Sequence, residues 1–210
     1  MSIGRLNVVG IGGTLRENSV SRGALIRALQ AAEESGAQTE LLDLRELDLP
    51  LYVPGKKPGE YGEYGGNVES YLEAIREADA LIISTAAYHG TLAGVTKNAL
   101  DFAQFLSRDE RPYLDGRVVG LVATAGGDQA ATNATGALVN VVHALRGTVA
   151  PLMVPIPKAW RLSDAAGNIT DENYGGRLDQ LGELVVDLAS RFQNHEDPGE
   201  PALDPVARRG

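Results

Sequence analysis

The segment GIGGTLRENSVSR, residues 10–22, links a run of valines to a stretch with helical spacing through glycines, hydroxyl side chains and Arg16. Gly12 and Gly13 permit a sharp turn and a close backbone approach to a ligand. Thr14, Ser19 and Ser21 supply hydroxyl donors, and Arg16 supplies a fixed positive charge. Backbone amides at the start of the following helix point the same way, and the helix dipole adds to them. Such a loop is suited to a phosphate. The plainer reading is a strand-to-helix turn with a capping serine.

Neighbouring residues narrow the kind of phosphate. No Gly-Lys-Ser/Thr is present, so the Walker pattern is excluded. Gly10 and Gly12 fit a Gly-x-Gly-x-x-Gly fingerprint, but position 15 is Leu. Asp43, at the end of the second expected strand, stands where such a fold reads a ribose, which keeps a classical dinucleotide site open. The segment STAAYHGTLAGVTKNALDF, 84–102, favours another ligand. Tyr88 can pack on a flat ring, and the backbone of 86–90 can bond the ring's polar edge. A third small, polar loop lies at GGDQAATNAT, 126–135. A dinucleotide domain has no particular need of a ring loop, whereas a flavin needs a phosphate loop and a ring loop together.

These loops must be held by regular elements. RLNVVGI (5–11), TELLDL (39–44), DALIIST (79–85), RVVGLVAT (117–124) and TVAPLMVPIP (148–157) read as five strands. Helical spacing spans 19–35, where Val20, Ala24, Leu25, Ala28, Leu29 and Ala32 recur and Gly36 stops the helix. Further helices are expected from an Asn67 cap through VESYLEAIREA, from about Gly94, through GALVNVVHALRG up to Gly147, and over 176–193. PLYVPGKKPGEYGEYGG (50–66) holds three prolines, five glycines and three tyrosines and reads as a long functional loop. Continuously apolar strands alternating with helices call for a parallel sheet covered on both faces. Ligands then bind outside the carboxyl ends of the strands, where the three loops fall. One domain is expected over 1–193, followed by a mobile tail at 194–210 rich in proline and charge.

Composition bounds the rest. The chain has 210 residues, 43% hydrophobic and 22% charged, which is ordinary for a globular domain. It has no cysteine, which excludes disulfides and thiolate chemistry. A net charge of −9 argues against a nucleic-acid or anionic-membrane surface. The N-terminal segment has no signal-peptide pattern and no run is long enough to span a membrane, so a cytoplasmic location is expected. No metal-ligand spacing of His, Asp and Glu is seen.

The three loops, in order, resemble those of the NADPH-dependent FMN reductases. GGTLRENSVSR resembles that family's Gly-Ser-x-Arg-x-x-Ser phosphate loop, with Thr14 in the serine's place. AAYHGTLAGVTKNALDF resembles its Pro-Glu-Tyr-Asn-x-x-x-Pro-Gly-x-Leu-Lys-Asn-Ala-Leu-Asp segment, with Tyr88, Gly94, Lys97, Asn98 and Asp101 matching. YLDGRVVGLVATAGGDQAA and HALRGTVAP are similar to its fourth strand, glycine loop and following helix. The likeness covers about residues 5–155. The departures are Ala86-Ala87-Tyr88-His89 for Pro-Glu-Tyr-Asn and Ala93 for a later proline.

The resemblance implies a flavodoxin-like three-layer α/β sandwich with a five-stranded parallel sheet in the order 2-1-3-4-5. It implies FMN, with Thr14, Arg16, Ser19 and Ser21 around the phosphate. Ala87, Tyr88, His89 and Gly90 would lie by the ring, and Gly126, Gly127 and Asp128 on its other edge. It implies hydride transfer from NADPH or NADH to flavin N5, with no side chain acting as acid, base or nucleophile. GGTLR and YHGTLAG are similar to the branch that supplies reduced FMN to a partner monooxygenase. The alternatives are an FMN-holding quinone, azo-dye or metal-oxyanion reductase, an electron-carrier flavodoxin, and a non-catalytic nucleotide module. The carrier is disfavoured because carriers hold FMN behind flanking aromatics, and this chain has one tryptophan. A homodimer or homotetramer is implied, with the 50–66 loop and Trp160 as contact candidates.

Other conspicuous residues have plainer readings. His143 is read as structural, on a helix with Val139, Val142 and Leu145, and His195 as solvated. Lys97 and Asp101 are spaced to pair on a helix surface. Trp160 is read as a lid or interface residue. His89 is divided between ordering the backbone and touching the ligand.

Overall fold

The computed structural model describes residues 5–195. Five strands form one parallel sheet: β1 (Asn7–Gly12), β2 (Gln38–Asp43), β3 (Ala80–Tyr88), β5 (Val118–Thr124) and β6 (Thr148–Ile156). A two-residue strand, β4 (Thr91–Leu92), pairs antiparallel with the end of β3. The spatial order is β2-β1-β3-β5-β6. Leaving β4 aside, this is the expected 2-1-3-4-5 order of a flavodoxin-like sheet. The expected five strands are therefore six, because β3 runs past its expected end at Thr85 and folds back on itself.

Strand alternation divides the core. Val8 and Ile82 pack against α1 (Val20–Glu34) and α6 (Glu172–His195), with Leu25, Leu29, Leu181 and Val185. Val9, Ile11, Leu81 and Ile83 face the opposite layer, with Tyr71, Leu72, Phe102, Leu138 and Val142. That layer is built from α3 (Gly65–Glu77), α4 (Gly94–Asp101) and α5 (Asp128–Ala144). A short helix, α2 (Leu44–Leu47), follows β2 and is capped by Asp43. β6 lies at the sheet edge, the position that tolerates Pro151 and Pro155, and its register shifts opposite Val119–Leu121.

Several boundaries differ from expectation. α3 starts at Gly65 without an Asn67 cap, and the Asn67 side chain instead donates to the Leu47 carbonyl at 2.9 Å. Two short 3₁₀ turns, Pro58–Glu60 and Gly62–Tyr64, interrupt the 50–66 loop. Tyr61 anchors that loop in the core, tilted against Phe102 and edge-on to Phe105. α5 begins at Asp128 and absorbs most of the expected 126–135 loop, because Ala131, Ala134 and Thr135 are buried at helical spacing. His143 is solvent-exposed rather than packed, since it points about 100° away from buried Val142 on the helix. α6 extends over 172–195 rather than 176–193, so it takes in the first two residues of the expected 194–210 tail. The rest of that tail lies outside the described residues.

Candidate functional site

Each strand hands its carboxyl end to a loop, and the ends or loops of four strands, β1, β3, β5 and β6, meet. The first leaves β1 through Gly13, whose φ of +91° is the left-handed turn expected of a glycine. Thr14 is buried, and its Oγ1 accepts from the Arg16 amide at 3.2 Å. Ser19 is the N-cap of α1, its Oγ accepting from the Arg22 amide at 3.4 Å and lying 3.0 Å from Ser21 Oγ. Ser84 Oγ donates to the Ser21 carbonyl at 2.8 Å, which ties the helix start to β3. The first-turn amides of Val20 and Ser21 have no intrahelical acceptor, as at any helix start. They are left for an anion in front of the helix. Arg16 is exposed, with no carboxylate within salt-bridge distance among the described residues.

The second loop is tighter than expected. Tyr88 pairs with Thr91, leaving His89 and Gly90 as a two-residue hairpin turn. Both have positive φ, 52° and 85°, which is the type I′ geometry that matches strand twist. The hairpin is held from below by buried Thr85, whose Oγ1 accepts from the Ala93 amide at 3.0 Å and lies 3.0 Å from Thr96 Oγ1. Asn98 holds the neighbouring loop, accepting from the Tyr52 amide and donating to the Pro50 carbonyl, each at 2.9 Å.

A further wall comes from the segment after β6. The Ala159 amide donates to the Ala125 carbonyl at 3.0 Å, stitching the turn Ala159–Arg161 to the end of β5. Ser163 and Ile169 then form an isolated bridge that closes a small loop. Inside it, Asp164 accepts from the amides of Ala166 at 2.9 Å and Asn168 at 2.8 Å. The Asn168 side chain, together with these amides, holds the Asp164 carboxyl below the usual carboxylate range.

These walls enclose a cleft of about 440 Å³. Thr14, Arg16, Ser19 and Ser21 line it, as do Ala87, Tyr88 and Gly126. The remaining candidates, His89, Gly90, Gly127 and Asp128, lie outside its lining. His89 is exposed at the hairpin turn. Gly127 is the N-cap of α5, and Asp128 pairs with Lys158 at 3.0 Å. Asp43 is also diverted: it is buried, pairs with Arg22 and caps α2 through the Arg45 amide at 3.0 Å. The ribose contact of a classical dinucleotide site is thus spoken for.

The amino-acid pattern around the cleft agrees with a comparison to known proteins. The sequence profile of the NADPH-dependent FMN reductases matches residues 6–161. The chain belongs to that family. An NAD(P)H-dependent FMN reductase of Pseudomonas aeruginosa is 31% identical over 194 residues, covering 90% of this chain and 94% of that protein. An FMN-dependent NADPH-azoreductase of Staphylococcus aureus is 32% identical over 161 residues, covering 75% of this chain and 79% of that protein. Among solved structures, FerB of Paracoccus denitrificans, a flavoenzyme NAD(P)H:acceptor oxidoreductase, superposes with a TM-score of 0.68. It covers 89% of this chain and 98% of its own, and at 22% identity the likeness speaks for the fold.

As an FMN reductase, the chain is an oxidoreductase that takes FMN and a reduced nicotinamide cofactor. The donor set of the cleft fits that flavin. Two helix-start amides, three hydroxyls and one guanidinium suit a phosphate at one end, and Tyr88 with the hairpin backbone suits a flat ring at the other. Sequence reasoning missed Ser163, Asp164 and Ala165, which also line the cleft, and gave no individual role to Asn18, Thr124 and Ala125 on the loops it selected. Trp160, read as a lid or interface residue, lines it as well, so the cleft has two flanking aromatics rather than one. The polar run SDAAGN after the last strand was the available signal.

Proposed function

We propose that the cleft binds FMN, with the phosphate on the Thr14–Ser21 loop and the ring between Ala87–Tyr88 and Ala125–Gly126, and that the enzyme passes reduced FMN to a partner monooxygenase. The observation that carries FMN binding is the convergence of the Thr14–Ser21 loop and the end of β3, Ala86–Tyr88, on one cleft, and the hand-over to a monooxygenase rests on the likeness of GGTLR and YHGTLAG to that branch. FMN, when bound, accepts reducing equivalents from the nicotinamide and delivers them onward. The chain's part is to bind and orient. Thr14, Ser19 and the α1 amides fix the phosphate, and Arg16 neutralises it. Thr85 and Thr96 stiffen the hairpin so that the Ala86–Tyr88 backbone keeps its angle to the ring. No side chain on the cleft is needed to move a proton in the nicotinamide step.

The second reading is an enzyme that keeps its FMN and reduces a quinone or an azo compound. The likeness to the staphylococcal azoreductase favours it. NADPH oxidation with and without added FMN, together with the spectrum of the protein as isolated, separates the two. Colourless protein whose rate saturates with added FMN supports the first reading. Yellow protein that needs a quinone or dye, and no added FMN, supports the second.

We assign a subunit contact to the 50–66 loop. Leu51 and Val53 project from it into solvent while Tyr52 and Tyr61 hold its base in the aromatic cluster. A monomeric mass by light scattering would remove this assignment.

A further inference from the structure

Among the described residues, three of the six exposed large hydrophobic side chains sit on the loops of the cleft: Leu15, Tyr88 and Trp160. Trp160 is the chain's one tryptophan and is 63% exposed. Its backbone is rigidly held. The Ala159 amide is bonded to Ala125, the Arg161 amide donates to the Lys158 carbonyl at 2.8 Å, and Ser163 Oγ donates to the Ala159 carbonyl at 3.0 Å. The ring is therefore presented to solvent on a fixed turn rather than on a mobile loop.

Arg161 lies against this ring, its guanidinium carbon 4.6 Å from the centroid. Other cations nearby are engaged: Lys158 pairs with Asp128, and Arg177 donates to the Met153 carbonyl. Arg161 has no carboxylate within salt-bridge distance among the described residues. Arg16, the cation that lines the cleft, is assigned to the FMN phosphate, and Arg161 stands outside the lining beside Trp160. Arg161 lies over one face of an indole that is still 63% exposed, and such a ring with an unpaired guanidinium on it suits a purine, stacked on the other face, that carries a phosphate. The ring stacks on the indole, and the planar fork takes the phosphate oxygens. A cleft of about 440 Å³ is a one-ligand volume, so with FMN in it the distal half of a dinucleotide must lie at the mouth.

We propose that Trp160 and Arg161 bind the adenosine 2′-phosphate end of NADPH and thereby select NADPH over NADH. This rests on the cleft being the FMN site. The indole holds the adenine of either dinucleotide. Arg161 acts on the 2′-phosphate alone, so discrimination is a matter of charge and bidentate geometry rather than shape.

The test uses the sole tryptophan as its reporter. Adenosine 2′,5′-bisphosphate is titrated into FMN-saturated full-length protein, followed by Trp160 emission, with adenosine 5′-phosphate as the control. The bisphosphate is expected to quench at a Kd about tenfold lower than the monophosphate, the scale of one charge-assisted contact. Arg161→Ala should bring the two Kd values together and raise KM for NADPH about tenfold relative to KM for NADH. Arg161→Lys should restore part of the difference. Equal Kd values in the unmutated protein overturn the proposal, as does an equal rise of both KM values in Arg161→Ala. Emission that follows protein concentration rather than nucleotide overturns it in favour of a contact with a second copy. Protein that fails to bind FMN would reject the FMN reading, whereas equal Kd values in FMN-saturated protein reject the nucleotide site alone, so the two failures are distinguishable.

Discussion

A Cβ built on Gly23 of α1 would lie 2.1 Å from the carbonyl oxygen of Gly167, in the loop that carries Ser163–Ala165 to the cleft. Helix and loop touch backbone to backbone, so neither side can yield by turning a side chain. Gly23→Ala should therefore cost about 1–3 kcal/mol through overpacking. It should also lower FMN affinity, because the displaced loop is a cleft wall. Urea unfolding and flavin fluorescence quenching measure the two effects. Unchanged stability together with unchanged affinity would mean that the loop is not seated on α1.

Arg16 is exposed and holds nothing else in place, which makes it a clean probe of the phosphate loop. Arg16→Ala should weaken FMN binding about 10- to 100-fold, the loss of one charge-assisted contact, with no change in the unfolding midpoint. An unaltered FMN Kd would overturn the phosphate assignment.

His89 has a φ of +52° and sits exposed at the hairpin tip. Histidine and asparagine tolerate this region, whereas β-branched residues do not. His89→Asn should leave FMN binding and stability intact, and His89→Val should destabilise by about 1 kcal/mol. If both variants lose FMN affinity alike at unchanged midpoint, the imidazole contacts the ligand and the backbone role is wrong.

Arg27 on α1 and Asp179 on α6 form two hydrogen bonds of 2.8 Å. The pairing with Arg27 lowers the Asp179 carboxyl and raises the guanidinium, so both shifts describe one favourable pair. Because the folded carboxyl ionises more readily than the unfolded one, its contribution is complete above the ordinary value of 3.8. It is lost as pH falls through the lower folded value. Both side chains are more than a third exposed or close to it, so solvent screening limits the effect to under about 1 kcal/mol. Asp179→Asn should be less stable than the unmutated protein at neutral pH, and the gap should close on acidification below about pH 4. A gap that persists at low pH would assign the stability to packing.

Much of the fold was legible because its signals are local. Ser19 and the apolar spacing from Val20 to Ala32 mark α1 within a residue of its bounds, and Gly36 marks its end. A cap and a stripe are properties of neighbouring residues, and the helix forms wherever they occur together. α5 starts well before its apolar spacing does, for the converse reason. Its first two turns are polar and small, and only contact with the sheet shows that Ala131, Ala134 and Thr135 are its buried face.

The site divides along the same line. Residue types and spacing on contiguous loops pointed to a candidate phosphate loop at Thr14–Ser21, a candidate ring loop at Ala87–Gly90, and the parallel sheet that aims both in one direction. Tertiary structure alone decided which residues were free to serve. Asp43 is claimed by Arg22, Asp128 by Lys158, and His89 by a hairpin turn. Trp160 joins the cleft through a backbone bond between Ala159 and Ala125, 34 positions apart. A sequence supplies the groups a chain can offer. Which of them face a ligand depends on pairings between distant segments, and those exist only once the core is packed.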